Sequence, residues 1–273
     1  MIYLQLGDAM IFPDKSLATR LENNLAQDML EYVIAFNHLF PDYGATYREI
    51  GGGIAIYTGQ FIHSAIGLGL NSPISNADME TLEAYFRANQ VASEIEICPF
   101  TDASFLRLLN ERHYHLTDFT TAYIHPLYTI QPPPKLNPDI IVEPITNTEK
   151  DLWVQTVIDV SPDDHATDSR LAQAVTHRAH TTCFLAKLDG EPVGASALSI
   201  RDSVATFYFT ATRQAYRNQG VQTAMIQARL DYAKAQDCEM AFATSIPGNH
   251  SMRNVMRAGF RVAYVRCTMV KNF

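Results

Sequence analysis

The C-terminal half of the chain has the clearest periodicity. Val221, Met225, Ala228, Tyr232 and Ala235 recur at spacings of four, three, four and three, which marks one face of a helix. Three strand-like runs precede it, Thr182 to Leu188, Pro192 to Ile200 and Ser203 to Thr212, separated by turns at Asp189-Gly190 and Arg201-Asp202. Upstream, Ile140 to Val142 reads as a strand, and Asp151 to Val160 and Asp168 to Ala179 read as helices. Downstream, Met240 to Ser245 reads as a strand, Ser251 to Ala258 as a helix and Arg261 to Met269 as a strand, with Gly259 placed to end the helix in a left-handed residue. The predicted order is β-α-α-β-β-β-α-β-α-β.

The end of this pattern occurs a second time, earlier in the chain. Thr81 to Asn89 reads as a helix, Glu94 to Cys98 as a strand, Ala103 to Glu111 as a helix and Tyr114 onward as a strand. Pro99 then corresponds to Pro247, and Tyr114 to Phe260 after a gap of two residues, a self-similarity that points to duplication. Between the halves, Gln131 to Pro138 contains four prolines and reads as a linker. The expected organisation is therefore a first domain over 1–130, a linker over 131–138 and a second domain over 139–273.

Composition narrows the function. With 47% hydrophobic and 18% charged residues in 273, the chain has enough apolar side chains for two cores. Its 21 Lys plus Arg against 29 Asp plus Glu leave a formal charge of -8 with no basic run, which argues against a nucleic-acid partner. No apolar run approaches the roughly 20 residues of a membrane span and the start lacks a basic leader, so a cytoplasmic protein with no membrane partner is expected. Cys98, Cys183, Cys238 and Cys267 lie too far apart for a metal or redox motif. His177 and His180 form an H-x-x-H pair without a third ligand, so no metal is expected.

Candidate chemistry lies between the third strand of the meander and the long helix. A helix start exposes unpaired amides and the positive end of the helix dipole, and from Arg213 to Leu230 there is no Asp or Glu to compete with an anion. Gly220 would let a phosphate approach the backbone, and Arg217 adds a fixed positive charge.

Arg217-Asn218-Gln219-Gly220-Val221-Gln222 resembles the pyrophosphate loop of the GNAT superfamily of N-acetyltransferases, Q/R-x-x-G-x-G/A, except that Gln222 stands where Gly or Ala is usual. Pro247 to Phe260 is similar to the short helix of that superfamily that ends in Gly-Phe; a tyrosine that protonates the departing thiolate in many members is replaced here by Val255. The resemblance implies an α/β (α+β) fold of two GNAT-like domains, each a mixed, mostly antiparallel central sheet flanked by helices, the first being a diverged copy. At the junction in that copy, Gly69 to Glu80, there is no arginine, Pro73 lacks an amide hydrogen, and Asp78 and Glu80 would repel a phosphate. One CoA site per chain is expected.

The resemblance further implies acetyl-CoA as co-substrate. Main-chain groups of Phe209, Thr210, Ala211 and Thr212 would bond the pantetheine arm, Arg217, Asn218, Gln219, Gly220, Val221, Gln222 and Thr223 would hold the pyrophosphate, and Ser251 and Asn254 would flank the arm. The acceptor would be a primary amine on a small molecule or a protein, attacking the thioester directly. The loop Ser161 to Asp168 borders the acceptor side in such proteins; Asp163, Asp164 and His165 are the candidates for attracting and deprotonating an ammonium group, with a solvated, helix-capping turn as the other reading. Tyr216 and Tyr264 are the candidate acids, or else packing aromatics with satisfied hydroxyls. A non-catalytic acyl-CoA sensor is the alternative function, and the oligomeric state is left open.

Overall fold

The computed structural model describes residues 12–59, 61–128, 135–160 and 169–273. The first half contains helix α1 (Lys15–Leu39), strands β1 (Thr46–Ile50), β2 (Gly53–Tyr57) and β3 (His63–Ile66), helix α2 (Asn76–Ala88), β4 (Ser93–Ile97), α3 (Ala103–Glu111) and β5 (His115–Pro126). The second contains β6 (Ile140–Pro144), α4 (Lys150–Ile158), α5 (Ser169–Val175), β7 (Thr181–Leu188), β8 (Glu191–Arg201), β9 (Val204–Thr212), α6 (Val221–Ala235), β10 (Met240–Ser245), α7 (His250–Arg257) and β11 (Arg261–Lys271).

The strands form one sheet in the order β1-β2-β3-β4-β11-β5-β10-β9-β8-β7-β6. The two sheets expected from the sequence are thus joined, because each half lends its last strand to the other. Strand β11 pairs with β4 of the first half, β5 pairs with β10 of the second, and the lent strands pair with each other antiparallel. Apart from β6, the order reads alike from either end, and a parallel pair, β3 with β4 or β9 with β10, falls at the matching place on each side.

Helix α1, which the periodicity did not announce, spans both halves. Its buried positions include Glu22, Asn24 and Asp28 among the apolar ones, and these interrupt any hydrophobic stripe. Each has a tertiary partner. Glu22 accepts from the Tyr264 hydroxyl at 3.0 Å and lies 3.0 Å from Arg266, which also reaches Glu96 at 2.6 Å. Asp28 meets Arg178 at 2.9 Å and Arg201 at 3.3 Å. Burial, the largest influence, pushes both carboxyls up from their ordinary range despite these arginines. Three arginines of the second half, Arg178, Arg201 and Arg266, therefore hold α1 through two buried carboxylates, an arrangement that orients more than it stabilises.

Local chemistry explains the boundaries that moved. Helix α2 starts at Asn76 because Ser75 and Asp78 form a reciprocal capping box. Helix α5 ends at Val175, so His177 and His180 lie beyond it: His177 contacts the Gln173 carbonyl, and His180 pairs with Glu31. The second hairpin turns at Asp202-Ser203, both with positive φ, one residue later than Arg201-Asp202. Residues 131–134 of the proline-rich segment lie outside the described residues.

Candidate active site

The site begins where two parallel strands part. Strands β9 and β10 pair from Val204 with Met240 to Phe207 with Ala243, and no further, although β9 continues to Thr212 and β10 to Ser245. Strand β10 stays bound to β5 as far as Ser245 with Thr121, so β9 is the strand that diverges. A bulge drives this divergence. The register of β8 with β9 passes from Ala197 with Tyr208 to Ala195 with Ala211, which inserts one extra residue in β9, and Phe209 takes a positive φ of 45. Its ring packs against Trp153 at 6.1 Å between centroids, while the Trp153 indole donates to the Ser196 carbonyl at 3.1 Å. The aromatic contact holds the strained residue, and Thr210 beside it is exposed. Past Phe207, the β10-facing backbone edge of β9 has no strand partner.

Beyond Thr212 the chain is fixed by Arg213, whose amide donates to the Val193 carbonyl at 2.9 Å and whose guanidinium pairs with Asp159 at 2.8 Å. A 3-10 turn over Gln214–Tyr216 follows, then Asn218 and Gly220 at φ 62 and 91. Gly220 is the residue that caps α6, and it has no side chain with which to do so. The amides from Asn218 to Thr223 meet no acceptor among the described residues, and the first turn of α6 carries no acid. Arg217 is exposed and makes no ion pair among the described residues. Val221 is buried against Ile140 and Val193, so the helix is anchored from its first residue. Gly194 permits this approach: a Cβ there would lie 2.9 Å from Val221 and 3.0 Å from the Ala211 carbonyl.

The matching helix of the first half is closed. Ser75 Oγ accepts from the Asp78 amide at 3.1 Å, and Asp78 accepts from the Ser75 amide at 2.9 Å and stands in the first turn. In the preceding loop the Gly69 amide is also taken, donating to the Gly51 carbonyl at 3.4 Å. An anion would find the Gly69, Ser75 and Asp78 amides engaged there and a carboxylate beside it.

On the far side of the wedge, α7 is capped by Asn249, which accepts from the Met252 amide at 2.8 Å; Ser251 and Asn254 on this helix are half-buried. Val255 is buried with Tyr123, Phe207 and Phe260. Tyr216 is half-buried against the cluster that contains Ile140 and Val221. Tyr264 lies under α1, its hydroxyl committed to Glu22. Asp163, Asp164 and His165 lie outside the described residues. The structure therefore brings Phe209 to Thr212 and Arg217 to Thr223 into one continuous track. Sequence reading missed the Phe209 bulge, for which no glycine or proline gave a signal, and the contribution of β5 to the neighbouring strand.

The sheet thus opens between two parallel strands, ahead of a helix start with free amides. Residues 145–260 match the Acetyltransferase (GNAT) family. Among solved structures, the chain is similar to a GCN5-related N-acetyltransferase from Kribbella flavida, with a TM-score of 0.69, 16% identity and coverage of 94% of this chain and 96% of that one. It is also similar to a tandem GNAT protein from the clavulanic acid biosynthesis pathway, at TM-score 0.60, 14% identity and 83% of each chain. A GCN5-related N-acetyltransferase from Sphaerobacter thermophilus matches at TM-score 0.56 and 12% identity, over 95% of this chain and 94% of that one. At these identities the likeness speaks for the fold. No curated protein matches the chain. Among the described residues, no helix is long and apolar enough to cross a membrane.

Proposed function

We propose that the chain transfers an acetyl group from acetyl-CoA to a primary amine, with one co-substrate site in its second half. The observation that carries this reading is the run of unpaired amides from Asn218 to Thr223 at the start of α6, which follows the strand edge that β9 leaves without a partner past Phe207. A pantetheine arm is a chain of amides, and it matches an unpaired strand edge; a pyrophosphate matches the uncapped helix start with Arg217 beside it. The donor set thus fits the group. When bound, acetyl-CoA supplies the activated acyl group. Residues 209–212 would orient the thioester, and the amides of 218–223 would hold the phosphates at a fixed distance from it.

The first half is, on this reading, a diverged copy of the second. The palindromic strand order and the shared succession of helix, three strands, helix, strand, helix and strand support it. Its helix start is capped by Ser75 and Asp78, so it would hold no CoA. For the acceptor side, Asp163, Asp164 and His165 are proposed to attract and deprotonate the amine; replacing all three should lower kcat, raise KM for the acceptor and leave CoA binding unaltered.

Thermal denaturation with CoA, followed by thiol release in a panel of polyamines, aminoglycosides, amino acids and peptide N-termini, tests the proposal. Ligand at a hundredfold its Kd should stabilise the fold by about 2.7 kcal/mol. No stabilisation would overturn the site. Stabilisation without turnover on any amine would favour an acyl-CoA sensor.

A further inference from the structure

Three arginines are buried among the described residues, and one of them differs. Arg178 meets Asp28, and Arg266 meets Glu22 and Glu96, so each has a carboxylate for its charge. Arg229, in the middle of α6, is 1% exposed and has no carboxylate partner among the described residues. Its guanidinium lies 4.4 Å from the centre of the Phe207 ring, Nε donates to the Met225 carbonyl at 3.1 Å, and Nη1 donates to the Ala197 carbonyl at 3.2 Å. Enclosing a charge without a counter-ion costs stability that an apolar side chain would keep.

Both strand contacts of Arg229 fall where β9 leaves the sheet. Phe207 is in the last row that pairs with β10, and Ala197 stands opposite Tyr208, immediately before the extra residue enters β9. The preceding carbonyl of β8, that of Ser196, accepts from the Trp153 indole at 3.1 Å. Trp153 packs in the cluster that contains Cys183, Leu185, Ala195 and Ala197, whereas Phe207 packs with Phe184 and Leu198. Strand neighbours alternate between faces, so α4 and α6 grip consecutive carbonyls at the bulge from opposite sides of the sheet. Helix α6 is also the element whose first turn carries the unpaired amides, and Val221 there is fixed against Ile140 and Val193. About 12 Å of helix separates Val221 from Arg229. One rigid rod therefore touches both the helix start and the bend of the strand.

We propose that Arg229 is a positioning residue, which sets the span between the free edge of β9 at 209–212 and the amides of 218–223. The inference rests on the CoA site proposed above. Coenzyme A must meet both parts at once, its pantetheine arm along the strand edge and its pyrophosphate at the helix start, and a span that is already correct needs no reorganisation on binding. An apolar side chain at 229 would leave the Ala197 carbonyl unheld and free the bend to shift relative to the helix start. The unpaired charge is kept because it preorganises the site.

The test uses the full chain and two ligands: CoA, which spans both parts, and adenosine 3′-phosphate 5′-diphosphate, its nucleotide portion, which reaches the helix start alone. In isothermal titration, Arg229→Met should bind CoA about 10-fold more weakly than the parent and the nucleotide within about twofold of it. Its urea midpoint should not fall, because the variant also loses an uncompensated buried charge. Equal losses for the two ligands, an unaltered CoA affinity, or a midpoint that falls in step with affinity would overturn the proposal. Should the methionine variant fail to fold, Arg229→Lys keeps a charge and a donor but lacks the planar fork that holds two carbonyls at once. It should show the same split between the ligands, and no split refutes the assignment. A parent that binds neither ligand removes the site reading and this proposal with it; a parent that binds CoA, beside variants that bind both ligands as it does, overturns this proposal alone.

Discussion

Replacing Gly220 with Asp separates electrostatics from backbone strain at the proposed phosphate site. The residue sits at φ 91, and a Cβ placed there would meet nothing closer than Asn137 at 3.8 Å, so any side chain has room. Its penalty to the fold is then the left-handed conformation alone, about 1–2 kcal/mol and less for asparagine. A carboxylate at this point would face the phosphates at roughly 4 Å, where two unit charges repel by about 4 kcal/mol in a partly solvated site. Because the loop is exposed, salt screens part of this, and a net loss of about 2.7 kcal/mol, or 100-fold in Kd, is expected. Isothermal titration of CoA into Gly220→Asp and Gly220→Asn, at two salt concentrations, reads the difference. The asparagine variant should bind within about fivefold of the parent, and the aspartate variant should recover partly at high salt. Equal losses in both variants, or no loss in either, would refute the reasoning.

Other consequences follow from contacts away from the loop. Gly194→Ala would put a Cβ 2.9 Å from Val221 and 3.1 Å from Met225; lifting α6 from β8 should cost about 1–3 kcal/mol in urea denaturation and weaken CoA binding with it. Glu22→Ala removes a buried partner from Arg266 and the acceptor of Tyr264, and should destabilise the chain by about 3–5 kcal/mol by the same assay. Hydrogen bonds from Lys187 and then Thr146 hold the Glu149 carboxyl down to about 2. The stability from this depressed group is present above pH 4.5 and is lost as pH falls through about 2; in Lys187→Met the NMR titration of Glu149 should move up toward the ordinary value.

The second half was legible because its elements follow local rules. The four-and-three spacing of Val221 to Ala235 gave α6, strand-like runs separated by turn residues gave β7 to β9, and Gly259 at φ 91 ends α7 as a glycine there should. Helix α1 was not legible, since Glu22, Asn24 and Asp28 occupy buried positions that only distant arginines and strands make tolerable. The strand exchange was equally hidden. The chain from Tyr114 onward reads as a strand, but nothing near it says that β10 and β11, more than a hundred residues away, are the neighbours. Of the candidate site, the helix start at Gly220 could be read from the missing acids and the glycine. The bulge at Phe209, by contrast, rests on a contact with Trp153, more than fifty residues away in the chain.

Amide hydrogen exchange with and without CoA tests the central claim most directly, because it reads the main-chain donors themselves. Protection should appear over 209–212 and 218–223, with 67–76 of the first half unchanged. Unaltered exchange over 218–223, or protection at 67–76 instead, would contradict it.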